Sequence, residues 1–254
     1  MNSLHTGKPL NWPAATLQTM SDPFGRAVRD HHEGTRESAL LQRDGPETLE
    51  HPIEAFYFDD FAPEEDPWLT DALSGPLLDL GCGAGRHALA FQEQFETIAT
   101  DVDDDLVAVV SDRGVEDARV VDMFALRDSF ERDRFGSALT IGTQVGLAGS
   151  MAGLRLFLDD LAFVTTPDAT AVLDSYDPAN VDPDGLLGYR SRPGRGLAHR
   201  VFHFEYEGTV GPTLLFLLFG PDRLRDATVG TGWRLDDVDR GDDGVHYRAR
   251  LERR

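Results

Sequence analysis

The sequence has almost no lysine and almost no cysteine. Lys8 is the one lysine among 24 basic residues, and Cys82 is the one cysteine in 254 residues. A single cysteine excludes an internal disulfide. Met1 to Leu10 has no apolar core of the kind a signal peptide needs, so export is not expected and a cytoplasmic location is. One uncharged stretch, Phe135 to Leu154, has about the ~20 residues that cross a bilayer. Its five glycines, with Thr140, Thr143, Gln144 and Ser150, make it too polar for that role. A strand, a turn and a helix start are expected there, and no membrane partner.

Basic charge is scarce as a whole. Forty-five acidic side chains, 31 of them Asp, face 24 basic ones, for a formal charge of −21. The acids are spread from Asp22 to Asp243 and form no single cluster. Spread negative charge keeps a protein soluble at the expense of self-repulsion, a balance suited to concentrated salt. A halophilic source is therefore expected. No basic stripe exists to neutralise phosphates, so nucleic acid is not expected as a partner. At 41% hydrophobic and 27% charged residues, the composition is that of a globular chain with a sizeable core.

Residues 1–20 carry no clear period and are expected to form an arm. From Asp22 to Arg43, Phe24, Ala27 and Val28, then Ala39, Leu40 and Leu41, suggest two helical pieces broken at Gly34. A Pro- and acid-rich passage with Phe56, Tyr57, Phe58 and Phe61 follows. An α/β rhythm begins at Pro76. Short strands are expected at 76–80, 97–100, 118–121, 137–141 and 169–173, alternating with helices at 86–95, 106–113 and 151–163, which implies parallel βαβ units. Beyond Tyr176 the rhythm changes to a loop over 177–196, then runs 200–207 and 213–219 as a hairpin, a short helix at 221–229, and a last hairpin of 234–239 with 245–251. The expected division is an N-terminal extension or lid, 1–75, and a catalytic domain, 76–254, with an inserted hairpin around 200–219.

The first of these strands ends in Gly81-Cys82-Gly83-Ala84-Gly85 and opens a helix. Glycines there let the backbone approach a ligand closely, with helix N–H groups facing it. Asp101 closes the next strand, 20 positions after Gly81, where a carboxylate can accept both ribose hydroxyls of an adenosine cofactor. Asp122 closes the third strand and can accept from an adenine amine. A dinucleotide site normally has Gly-x-Gly-x-x-Gly. The shorter Gly-x-Gly-x-Gly here, preceded by Asp79, suits a cofactor with an ammonium group better than one with a pyrophosphate.

The segment Leu77-Leu78-Asp79-Leu80-Gly81-Cys82-Gly83-Ala84-Gly85 resembles motif I of the class I S-adenosylmethionine-dependent methyltransferases. Thr100-Asp101-Val102-Asp103 resembles their acidic ribose-binding motif, and Val121-Asp122-Met123 their adenine-binding segment. The likeness extends over about 76–251. It implies a Rossmann-like, doubly wound seven-stranded sheet with its last strand antiparallel, here with an N-terminal helical extension and an extra β-hairpin. It also implies S-adenosylmethionine as cofactor, with Gly81, Gly83 and Gly85 beside the methionine moiety and Asp79 facing its amino group. Asp101 would take the ribose, Val102 the adenine face, Asp122 and Met123 the adenine edge, and Gly142 with Thr143 the floor beside the sulfonium. Asp103, Asp104 and Asp105 are expected to be a solvated face.

The catalytic residue stays open, because methyl transfer can run on positioning alone. Candidate bases are Asp30, His31, His32, Tyr57, Asp174 and Tyr176, each also explicable as surface or packing. Ile141-Gly142-Thr143-Gln144 replaces the Asn/Asp-Pro-Pro-aromatic motif of many amino-methyltransferases. No second cysteine serves covalent attack on a pyrimidine, and the lysines of a Lys-Asp-Lys-Glu set are missing. A small-molecule acceptor remains. His199 and His203, on one face of a strand, would stand ~13 Å apart, too far to share an ion, so no metal is assigned. Arg190, Arg192 and Arg195 could bind an anionic acceptor or offset local acids. Rival readings are a non-catalytic S-adenosylmethionine-binding partner or sensor, and a nicotinamide-dependent oxidoreductase. Oligomeric state is not legible.

Overall fold

A computed structural model describes residues 22–241 and 244–254. The expected arm at 1–20 lies outside these residues. The first element, α1 (Pro23–His32), starts where Asp22 caps it by accepting from the Phe24 amide at 3.1 Å, with Pro23 in the first helical position. Two short strands follow, β1 (Leu41–Asp44) and β2 (Glu47–Glu50). The second helical piece expected up to Arg43 is therefore wrong. Leu40 and Gln42 are buried while the residues between and beyond them are partly exposed, the period-2 alternation of a strand, and three apolar residues in a row masked it.

After α2 (Pro67–Thr70) comes the regular alternation: β3 (Leu77–Leu80), α3 (Arg86–Phe91), β4 (Thr97–Asp101), α4 (Asp104–Asp112), β5 (Ala118–Val120), α5 (Leu126–Ser129), β6 (Phe135–Thr140), α6 (Met151–Val164) and β7 (Thr165–Tyr176). Short strands β8 (Tyr189–Ser191) and β10 (Thr209–Val210) flank β9 (Leu197–Tyr206). The chain ends with β11 (Leu214–Phe219), α7 (Pro221–Thr228), β12 (Trp233–Arg240) and β13 (His246–Arg253).

Seven strands form one sheet in the order β12-β13-β7-β6-β3-β4-β5. The five strands from β7 to β5 are parallel. β13, the last strand, runs antiparallel between β7 and β12. All four residues of β3 are buried, as expected for a central strand covered on both faces. The uncharged stretch 135–154 is β6, a 3-10 turn and the start of α6, and among the described residues no helix is long and apolar enough to cross a membrane.

The expected hairpin of 200–219 is present as β9 with β11, paired antiparallel from Leu214 opposite Phe202 to Phe219 opposite Leu197. It belongs to a second sheet in which β9 also pairs with β1, β8 and β10, and β1 with β2. The N-terminal segment and the hairpin thus build one layer. Along β9, Ala198, Phe202, Phe204 and Tyr206 are buried and alternate with more exposed residues. They pack with Ala27 and Val28 of α1, Leu106 and Val109 of α4, and Ala84 of the glycine turn. The second layer therefore sits against the carboxyl edge of the seven-stranded sheet, where the turns after β3, β4, β6 and β7 emerge.

Candidate functional site

The turn after β3 is shaped by three glycines in the left-handed region, Gly81, Gly83 and Gly85 (φ 65°, 57° and 78°). Side chains crowd two of them. A Cβ on Gly81 would lie 2.9 Å from Cγ of Gln144, and one on Gly83 would lie 2.9 Å from the Tyr57 ring. The backbone is thus approached closely from both flanks, which only glycine permits.

Asp79 is buried on β3, and its Oδ2 has no hydrogen-bond partner among the described residues. Burial, with the charge of Asp101 nearby, pushes its carboxyl up to about 7. Asp101, at the end of β4, accepts from the amides of Gly83 and Asp103, each at 3.2 Å. Its burial outweighs these bonds and lifts it to about 6. Two carboxyls side by side, with no cation bonded to either among the described residues, form a site that favours positive charge. Val102 is 69% exposed, Met123 is buried, and exposed Asp122 accepts from the Phe124 amide at 2.8 Å to close its own turn.

Asp103 and Asp105 are not the solvated face expected of them. Asp103 caps α4 by accepting from the amides of Asp105 (2.8 Å) and Leu106 (3.4 Å), and Asp105 is ion-paired with Arg29 of α1. Asp104 is exposed. The cap orders the start of α4, and the ion pair ties α1 to α4 beside the carboxyl end of β4.

After β6, Gly142 and Thr143 turn the chain with positive φ (94° and 60°). For threonine that conformation costs about 1–2 kcal/mol. Asp174 of β7 holds it by accepting from the amides of Gly142 (3.1 Å) and Thr143 (2.6 Å), while His246 lies 2.7 Å from its Oδ2. Asp174 is thus occupied with backbone and is a poor candidate base. Asp30 accepts from the Tyr206 hydroxyl and pairs with Arg26 one turn back in α1, while His31 and His32 pack on the Phe58 ring. Tyr176 stands at the end of β7, edge-on to His246.

Tyr57 is the one candidate base carried over the glycine turn. It lies in a π-helical turn, Glu54–Phe58, and Phe24 and His51 pack against its ring. Arg113 donates both to the Tyr57 carbonyl (2.9 Å) and to the Ala84 carbonyl (2.6 Å), tying that segment to the glycine turn. Arg86 adds a bond to the Asp60 carbonyl. Proton directions behind Tyr57 follow from donor chemistry. Arg200 can only donate, so Gln42 accepts through Oε1 (2.6 Å) and must donate through Nε2 to Nδ1 of His51 (2.9 Å). Burial, helped by the Arg200 charge, lowers His51 to about 4, leaving it neutral with its proton on Nε2. That proton goes to the Tyr57 oxygen at 2.8 Å. Tyr57 is therefore a donor toward the site, and its burial raises its own pKa and disfavours a role as base.

Sequence reasoning missed Gln42, His51, Arg113, Gln144 and Arg200. Only Arg200 left a signal, a charge at an inward position of an alternating strand. Arg190, by contrast, donates from Nη2 to both carboxylate oxygens of Asp44 at 2.8 and 2.7 Å, and Arg192 contacts His199. A cleft of about 350 Å³ bounded by Arg36, Ile53, Glu54 and Asp59 shares no residue with the glycine turn.

No protein-family model and no curated protein matches the sequence. Solved structures do. A methyltransferase from Bacteroides fragilis, S-adenosylmethionine-dependent and solved with S-adenosyl-L-homocysteine, is similar over 91% of this chain and 94% of its own, at 27% identity and a TM-score of 0.75. The chain has the class I methyltransferase fold. The same fold is shared with the CcbJ methyltransferase of Streptomyces caelestis, at 12% identity and TM-score 0.61 over 92% of this chain and 98% of that one. It is shared too with CalS10 of Micromonospora echinaspora, an amino pentose methyltransferase solved with S-adenosylmethionine, at 18% identity and TM-score 0.53 over 75% and 87%.

Proposed function

We propose that this chain transfers a methyl group from S-adenosylmethionine to a small-molecule acceptor. The carrying observation is the buried, unpartnered Oδ2 of Asp79 at the start of a glycine turn. An ammonium group is the partner it lacks. The arrangement fits the cofactor elsewhere as well. Asp101 takes the ribose hydroxyls, exposed Val102 the adenine face, and Asp122 with Met123 the adenine edge. Gly81, Gly83 and Gly85 line the methionine part. Gly142 and Thr143 form the floor through their carbonyls and side chain, since their amides are bonded to Asp174.

Held by Asp79, Asp101 and the glycine turn, S-adenosylmethionine would supply an electrophilic methyl group on a sulfonium for an acceptor lone pair. The chain contributes position and dryness. Tyr57 and its neighbours cover the glycine turn as a lid and exclude water, and Asp174 fixes the floor. A catalytic base is not required.

Calorimetric titration with S-adenosylmethionine and S-adenosylhomocysteine in concentrated KCl tests this, with NADH as competitor. Micromolar binding, about −8 kcal/mol, lost in Asp101→Ala, is expected. NADH binding in their place overturns the reading. Turnover of a methyl-labelled cofactor separates an enzyme from a non-catalytic binding partner. The −21 charge belongs to the same proposal for a cytoplasmic, salt-adapted protein. Its melting temperature is expected to rise with KCl as self-repulsion is screened.

A further inference from the structure

Arg200 stands on the inward face of β9, between Ala198 and Phe202, opposite Phe216 on β11 and Tyr189 on β8. Such a position calls for an apolar residue. Thirteen arginines form ion pairs among the described residues. Arg200 forms none with any described residue, in a chain rich in carboxylates. Its Nε donates to the Leu187 carbonyl (2.9 Å) and its Nη2 to Gln42, while its Cζ lies 4.5 Å over the Phe202 ring. Nη1 has no partner among the described residues. One face of the guanidinium is thus covered by an aromatic ring, and an edge with at least two N–H groups stays open.

A charge held among aromatic side chains without a counter-ion is costly unless something brings the opposite charge. An edge of parallel N–H groups matches a carboxylate. One unpaired cation neutralises one negative charge. A phosphate monoester would leave a second charge uncompensated in a layer packed against the sheet edge where Asp79 and Asp101 already place two carboxyls. Resting on the methyltransferase reading, we propose that Arg200 binds the acceptor, and that the acceptor is a monocarboxylate with an apolar body. Place supports this. Arg200 joins Tyr57 through Gln42 and His51, and Tyr57 covers the glycine turn. Tyr176 at the end of β7 and Leu147 after β6 belong to the same apolar cluster as Phe202 and Phe216. The carboxylate would be gripped at the sheet side of this layer and the apolar body laid toward the cofactor, with the heteroatom whose lone pair accepts the methyl group at its far end.

Benzoate is the probe and benzamide its neutral counterpart. Both are titrated by calorimetry into the full chain saturated with S-adenosylhomocysteine, as wild type, Arg200→Met and Arg200→Lys. Wild type is expected to prefer benzoate over benzamide by about tenfold or more. Arg200→Met should lose that preference, Arg200→Lys should keep part of it, and all three should bind S-adenosylhomocysteine within about twofold of one another. Equal binding of the two probes by wild type overturns the proposal, as does a preference retained in Arg200→Met. Tighter binding of inorganic phosphate than of benzoate overturns the monocarboxylate assignment. Should Arg200→Met not fold, the wild-type ratio and the lysine variant decide alone. If S-adenosylhomocysteine does not bind, the methyltransferase reading fails. The benzoate-to-benzamide ratio, measured without it, still decides whether Arg200 is an anion site.

Discussion

Asp79 on β3 and Asp174 on β7 are both almost fully buried, at 3% and 1% exposure, two strands apart in one sheet. Their surroundings are opposite. Asp174 accepts from two backbone amides and has His246 beside it, and it fixes a strained turn. Asp79 keeps an oxygen with no partner among the described residues and feels the second carboxylate of Asp101. The fold provides for the charge of one and leaves that of the other unmet. A carboxylate of the first kind holds structure together, and one of the second kind costs stability until a cation arrives.

The sharpest way to break this contrast is to remove each charge in turn. Asp79→Asn is expected to weaken S-adenosylmethionine binding by roughly 100-fold, about 3 kcal/mol for a buried charge pair lost. Its ligand-free melting temperature should hold or rise, because an unpaired buried charge is gone. Asp174→Asn is expected to do the reverse. An amide can accept on its oxygen only and turns an NH₂ toward a donor, which costs about 2–4 kcal/mol of folding stability. Denaturant melts and calorimetry of the two variants read both quantities. Loss of stability in Asp79→Asn with unchanged affinity would sink the distinction.

Next in size is the dependence on pH. Raised carboxyl pKa values mean that the folded chain binds protons which the unfolded chain has released, so νN exceeds νU and stability falls as pH rises. The contribution of the protonated forms is complete below about 4, where unfolded Asp titrates. It is lost as pH climbs through about 6 for Asp101 and about 7 for Asp79. Ligand-free protein is therefore expected to lose on the order of 1–3 kcal/mol between pH 5 and 8. Affinity for the cationic cofactor should grow over the same interval. Asp79→Asn should flatten most of both slopes. A stability profile that rises from pH 5 to 8 and is unaffected by Asp79→Asn contradicts the assignment.

Much of the seven-stranded sheet was legible because its signals are local. Buried parallel strands are short apolar runs, each closed by glycine or aspartate, and helix periods lie between them. The glycine turn and the two acidic strand ends stand at fixed separations in the sequence. The second layer was not legible in the same way. β1 joins β9 across about 160 residues, from Leu41 opposite Glu205, and no local pattern announces such a pairing. Leu40 to Gln42 therefore passed for helix. The polar chain from Arg200 to Tyr57 exists only because those two strands meet. Asp103 carried a local signal, an Asp at the start of a helix, that a neighbouring run of three acids concealed.

The smallest effect tests that polar chain. Tyr57→Phe keeps the ring over Gly83 and removes only the oxygen that accepts from His51. His51 then holds a buried N–H without a partner, which costs about 1–2 kcal/mol. No charge is removed, so the pH profile set by Asp79 and Asp101 should keep its shape while the whole curve drops. Urea melts across pH 5–8 measure both features at once. The proton directions derive from Arg200 being unable to accept, which forces Gln42 to donate to His51 and His51 to Tyr57. If Tyr57→Phe leaves stability unchanged, His51 has another acceptor, and Tyr57 is not the end of a chain of donors that begins at Arg200.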